Sequence, residues 1–217
     1  KYMNNMTPAE VYKAVQDDDS DKYKNLDKVL FRHAELGDIR SQVKIGVHFE
    51  KNKNYEEAFY WYEKVALEEA FNKKTNVIDS FVIAAQCALA NLYSLGKGIP
   101  KDHKKAFYWY EKVAQQEPDP YSQTVESAQY QLARLYKSGN GVRQDYKQAA
   151  YWYEKAANQG FSIAQYDLGI LYYSGEGVLK SLKDSSYWIK KAYENSDKDI
   201  SKKANDYWNK FELWKYE

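Results

Sequence analysis

Apolar positions in this chain recur with a period near 3.6 residues, in short segments separated by glycine-bearing turns. In SIAQYDLGILYYSGEGV, residues 162 to 178, Ala164, Leu168, Leu171 and Tyr172 fall at i, i+4, i+7 and i+8, one face of a helix. In DYKQAAYWYEKAANQG, residues 145 to 160, Ala149, Trp152, Tyr153 and Ala156 trace a face in the same way. Segments of the first kind end in LGKGIPKD, SGNGVRQD and SGEGVLKS. The first glycine of each predicts a left-handed helix cap, and the second permits the turn that follows. Asp102 and Asp145 then stand where the next helix begins, as N-caps or first-turn acids. The pattern predicts a unit of two helices, A and B, joined by a Gly-x-Gly turn.

The unit repeats. AFYWYEKVA stands at 58–66 and again at 106–114, and AAYWYEKAA follows at 149–157. Trp61, Trp109, Trp152 and Trp188 are equivalent, at intervals of 48, 43 and 36 residues. Gly96, Gly139 and Gly175 each precede their Trp by 13 residues, and Gln86, Gln129 and Gln165 precede that Gly by ten. The two helical segments therefore have fixed length and only the connection between units varies. Neither helix buries its apolar face alone, so neighbouring units must stack. Gly169 stands where Ala90 and Ala133 stand, which predicts close approach of another helix. The first copy lacks the Gly-x-Gly turn and is four residues shorter between Gln42 and Trp61, so its turn is tighter. Copy four has Ser185 for the usual Ala and Ile189 for the Tyr after Trp. The stretches 67–82 and 115–127 read as longer helix ends plus loops, with a stop at Pro118. Residues 26–38 read as an isolated helix B and residues 7–16 as an N-capped helix. Residues 200–216 read as a capping helix with Ala204, Trp208, Phe211 and Lys215 on one stripe and Trp214 beside it.

The string A-x-x-x-L-x-x-L-Y-x-x-G-x-G-V followed by D-x-x-x-A-x-x-W-Y-E-K-A-A resembles the Sel1-like repeat, a relative of the tetratricopeptide repeat. The resemblance covers residues 41–193 in four copies, at 41–83, 84–126, 127–161 and 162–193. Residues 1–40 then form an N-terminal half-repeat or cap, and residues 197–217 a C-terminal capping helix. It implies an all-α fold, a right-handed α-solenoid of antiparallel helix pairs with helical caps at both ends and a concave and a convex side.

Charge changes little in this picture. With 32 Lys and Arg against 31 Asp and Glu, the net charge of +1 gives no push toward nucleic acid or an anionic membrane. Tyr, Trp and Phe make up 17% of the chain, which points to a packed protein rather than a disordered one. No apolar run reaches the roughly 20 residues of a membrane helix. The chain opens at Lys1 rather than Met. That reads as a trimmed start and favours a secreted or periplasmic location over a cytoplasmic one.

Candidate chemistry is sparse. His33, His48 and His103 share no ligand spacing and Cys87 has no cysteine partner, so no metal or cofactor is expected. The acidic stretch at 17–28 has Lys22 and Lys28 where a calcium loop needs Gly and Glu. The Gly-x-Gly turns join two helices and follow no strand, so they are not dinucleotide fingerprints. Some cysteine-rich relatives of the repeat are linked to β-lactams, and S-x-x-K occurs at Ser41–Lys44 and Ser94–Lys97. No companion S-D-N or K-T-G accompanies them, and the chain lacks paired cysteines. An enzyme is not expected, and Cys87 reads as a small buried thiol.

The repeated Trp register reads as a core layer, so function falls where the copies differ. After the glutamine, helix A carries Val43, Cys87, Tyr130 and Tyr166; then Val47, Asn91, Arg134 and Ile170; then Glu50, Ser94, Lys137 and Tyr173. By analogy with related repeats these positions floor the concave groove. The predicted protein-binding surface is Val47, Glu50, Asn91, Arg134, Lys137, Tyr166, Ile170 and Tyr173. Tyr and Arg there suit a peptide or protein edge. The function expected is a non-catalytic adaptor that grips another protein. What bacterial relatives do implies an envelope protein or a secreted effector as partner. The narrower alternative from that source is an immunity protein neutralising a secreted toxin. A β-lactam-binding or hydrolysing enzyme is the disfavoured reading.

Overall fold

A computed structural model describes residues 28–67, 71–72, 77–78, 80–118, 122–194 and 198–216. The helix expected at 7–16 lies outside the described residues. The chain forms two compact units that divide between Trp109 and Tyr110.

The first unit holds α1 (Lys28–Glu35), α2 (Ile39–Lys51), α3 (Tyr55–Ala66), α4 (Ser80–Leu95) and the start of α5 (His103–Ala114). Helix α2 packs against α1, α3 and α4, and α3 against α4. The second unit holds the end of α5, then α6 (Thr124–Ser138), α7 (Tyr146–Asn158), α8 (Ser162–Ser174), α9 (Leu182–Glu194) and α10 (Lys198–Lys210). A short 3-10 turn at Leu213–Tyr216 closes it. Each helix from α6 to α10 packs on the next, and α10 also touches α8.

The repeated word divides its aromatic residues between core and solvent. Trp61, Trp109, Trp152 and Trp188 are buried, and Tyr62, Tyr110, Tyr153 and Ile189 after them more completely still. The tyrosine before the Trp stays exposed in three copies, at Tyr108, Tyr151 and Tyr187. The Lys155 ammonium covers both rings of its turn, 5.3 Å from the Tyr151 centroid and 5.4 Å from that of Trp152.

The recurring glutamine ties each helix A to the helix B before it. Gln42, Gln86, Gln129 and Gln165 donate from Nε2 to the carbonyls of Ala34, Ala66, Ala114 and Ala157 at 2.9–3.3 Å. Each acceptor lies at or one residue before the end of the preceding helix B, where the last carbonyls have no partner within their own helix. Ser201 repeats the contact in shortened form, its hydroxyl donating to the Tyr193 carbonyl at 3.1 Å. Helix α1 thus occupies the place of a helix B and α10 that of a helix A.

Turn chemistry follows the sequence closely. Gly175 caps α8 at φ 79°, its amide donating to the Leu171 carbonyl. A Cβ on Gly177 would stand 2.1 Å from the Tyr146 carbonyl oxygen, so the turn presses on the start of α7. The backbone amides of Lys147 and Gln148 donate to the Asp145 carboxylate, and those of Lys104 and Lys105 to Asp102. A Cβ on Gly169 would stand 2.7 Å from Cγ1 of Ile189, the close approach expected there. In the first copy the tight turn takes Lys53 to φ 62° in place of a glycine.

Three expectations need correction. Helices α3 and α5 end at Ala66 and Ala114, so the tails do not prolong them; the added helical residues are the starts of α4 at Ser80 and α6 at Thr124. Within the first tail a two-residue antiparallel pair forms instead, Phe71 opposite Ile78 and Asn72 opposite Val77. The C-terminal helix breaks after Lys210, with Glu212 at φ 50°. Leu213 is therefore the buried anchor, Trp214 is exposed and Lys215 pairs with Glu212, leaving the expected stripe at Phe211. Val43 and Tyr130, read from the sequence as variable surface positions, are buried, whereas Cys87 is the buried thiol expected.

Candidate protein-binding surface

In the first unit the variable face of helix A contains Val47, Glu50 and Asn91. Val47 is exposed, and Glu50 and Asn91 are half-buried. Glu50 accepts a hydrogen bond from the Tyr62 hydroxyl at 2.8 Å, pinning α2 to α3. Burial, and then the Glu50 charge, push the Cys87 thiol up to about 12, which keeps it protonated and inert.

In the second unit Arg134 is exposed and Lys137, Tyr166, Ile170 and Tyr173 are half-buried. Tyr166 and Tyr173 both meet Tyr207 of α10 edge-on, at 5.9 and 5.7 Å between centroids. Phe211 packs at 4.5 Å from both Tyr173 and Tyr207. These rings join the core around Ile189, Ala192, Ala204 and Leu213. The chain's own last helix therefore covers part of the aromatic floor. Burial, and then Tyr173 and Tyr166, push the Tyr207 hydroxyl up to about 12.

Asp167 stands among the charged groups of this face. Burial raises its carboxyl above the usual range, opposed by Lys137, by a hydrogen bond from Tyr130, and by Arg134 and Lys203. Arg134 stacks its guanidinium 5.8 Å from the Tyr130 ring centroid and donates to Gln131 Oε1 at 3.1 Å. Arg134 and Lys137 from α6 thus face Asp167 from α8 and Lys203 from α10. The signal for Asp167 was one acid in the otherwise apolar run AQYDLGILYY, where the other copies carry Lys44, Ala88 and Gln131.

Neither S-x-x-K string forms a serine–lysine pair. The Ser41 hydroxyl donates to Asp38, the N-cap of α2, while Lys44 points to solvent. Lys97 lies over the Tyr55 ring at 5.0 Å. No cluster of three His, Cys, Asp or Glu able to hold a metal exists among the described residues. No helix among them is long and apolar enough to cross a membrane.

A search of curated proteins finds no match. Among solved structures, the chain is similar to a Sel1 repeat protein from Oxalobacter formigenes, with 23% identity and a TM-score of 0.71 over 95% of this chain and 78% of that one. It is also similar to a protective antigen of uropathogenic Escherichia coli strains that displays an SLR fold, with 26% identity and a TM-score of 0.66 over 80% of this chain. The match spans 34% of that antigen, about a third of its length. The Sel1 repeat profile matches residues 42–68, 83–117, 126–161 and 162–197, more than half of the sequence. With its stacked helix pairs, Gly-x-Gly turns and buried Trp layer, this chain belongs to the Sel1 repeat family.

Proposed function

We propose that this chain is a non-catalytic scaffold that holds a protein partner on the variable face of its A helices. Sel1 repeats are typically protein-interaction scaffolds. The observation that supports the reading here is the division of labour within each repeat. Recurring Trp, Tyr, Gln and Gly positions pack, cap or turn the helices, whereas Val47, Asn91, Arg134 and Ile170, at one equivalent position, differ in every copy and retain solvent exposure. A face that varies in chemistry while the frame stays constant suits recognition of one particular protein surface. The commitment of Ser41 to Asp38 and of Lys97 to Tyr55 speaks against acyl chemistry.

The test places a photo-reactive phenylalanine analogue at Val47, Asn91 or Ile170, and for comparison at the exposed Tyr108 or Tyr151 on B helices. Each variant is irradiated in extract of the source cells. Discrete protein adducts from the A-helix positions are expected. Adducts confined to the B-helix positions would move the surface, and none at any position would remove the scaffold reading.

A further inference from the structure

The two units present A-helix faces of different charge. At the variable positions the first offers Val47, Glu50, Asn91 and Ser94, neutral or acidic, with the exposed Lys44 beside them. The second places cations around a cluster of aromatic rings. Arg134, Lys137 and Lys203 act on Asp167. Lys180 lies 5.6 Å from the Tyr173 centroid and Lys210 lies 5.2 Å from that of Phe211. Those two rings and Tyr166 are joined through Tyr207, so the five cations border one continuous aromatic patch.

The acids acting within the patch are Asp167 and Asp206, the latter felt by Tyr166. Asp167 accepts a hydrogen bond from the Tyr130 hydroxyl, and the five cations outnumber these two acids. Among the described residues, none of these five cations forms an ion pair with a carboxylate, whereas Lys215 nearby is held by Glu212. Arg134, Lys180, Lys203 and Lys210 are exposed. A cation resting on a ring face keeps its outer side open to an anion, in a setting less hydrated than bulk water.

We propose that the partner presents an acidic segment, carboxylates interleaved with apolar residues, to the cation-bordered aromatic patch of the second unit. The proposal rests on the scaffold reading and names the chemistry of the partner. Carboxylates would engage Arg134, Lys203 and Lys210, and the apolar residues would lie against Tyr173 and Phe211. A nucleic acid fits less well. The rings pack edge-on or tilted against one another rather than standing free for bases to stack on, and Asp167 and Asp206 repel a continuous phosphate backbone.

The experiment measures fluorescence anisotropy of a short labelled peptide of alternating Glu and Phe against the full chain at low salt. A second peptide has Gln for every Glu, and an oligothymidylate serves as the other polyanion. The acidic peptide is expected to bind roughly tenfold more tightly than the Gln peptide and to weaken as salt is added. Lys203→Glu with Lys210→Glu should weaken it roughly tenfold more. Both lysines are exposed, and an unchanged thermal melt confirms that the variant folds. Arg134→Gln, on a different helix, gives the same answer independently. Equal binding of the two peptides, no binding of the acidic one, indifference to both charge variants, or tighter binding of oligothymidylate would each overturn the proposal. Photo-adducts at Val47 and Asn91 alongside any of those results would leave the scaffold reading standing, so the two failures are distinguishable.

Discussion

Tyr151 and Tyr153 flank the same tryptophan in the repeated word, yet the fold uses them in opposite ways. Tyr153 is 1% exposed and Tyr151 is 48% exposed. The Tyr153 ring tilts against Tyr130 of the neighbouring helix at 5.6 Å, inside the layer that joins α6, α7 and α8. Truncating it to Ala removes a fully buried aromatic from a site whose neighbours are held on three helices, at a cost of about 3–5 kcal/mol. Tyr151 makes an edge contact with Trp152 at 5.1 Å and carries Lys155 over its face. Its loss forfeits about 0.5–1.5 kcal/mol of ring contact and about 0.5–1 kcal/mol of cation–π attraction. Tyr153→Ala should therefore be about 2 kcal/mol more damaging than Tyr151→Ala, roughly a thirtyfold difference in the folding equilibrium. Urea unfolding followed by far-ultraviolet circular dichroism measures this without relying on Trp152 fluorescence, which both substitutions alter directly. Hydrogen exchange in α6 and α8 should rise with Tyr153→Ala, since stacked repeats lose stability through their interfaces. Equal midpoint shifts, or a larger one for Tyr151→Ala, would refute the assignment of the second tyrosine to the core.

Two further outcomes are expected. Gly160 and Gly177 both have positive φ, 87° and 76°, but a Cβ on Gly160 meets nothing within 4 Å while one on Gly177 meets the Tyr146 carbonyl. Gly160→Ala should cost about 1–2 kcal/mol of backbone strain and Gly177→Ala about 1–3 kcal/mol beyond that for the overlap; equal denaturation midpoints would contradict the close approach. Burial raises the Asp167 carboxyl in the folded state, so its charge opposes folding above the folded pKa and that penalty disappears as pH falls through it toward the ordinary carboxylate range. Asp167→Asn should thus stabilise the protein at neutral pH, by a margin that narrows on acidification in urea titrations, and a variant less stable at neutral pH would mean that Lys137, Arg134 and Lys203 outweigh burial.

Helices, turns and caps were legible because their causes are local. The 3.6-residue spacing of Leu168, Leu171 and Tyr172, the left-handed cap at Gly175 and the Asp145 N-cap each depend on residues within a turn or two. Repetition added the core layer, because a side chain kept at one register in every copy must meet the same surroundings. The recurrence of Gln86, Gln129 and Gln165 was visible in the same way, but its role was not. Their partners, the carbonyls of Ala66, Ala114 and Ala157, are brought near only when units stack. The variable face depended still more on tertiary structure. Whether the residue after the glutamine is surface or core is decided by the helices packed around it, which bury Val43 and Tyr130 and leave Tyr166 half-covered by α10. Asp167 carried no repeat signal, since its importance comes from Tyr130, Arg134 and Lys203 on other helices. Periodicity reports what a residue does within its own helix. Which neighbours remove it from water, and which charges they set beside it, is fixed only when the helices pack.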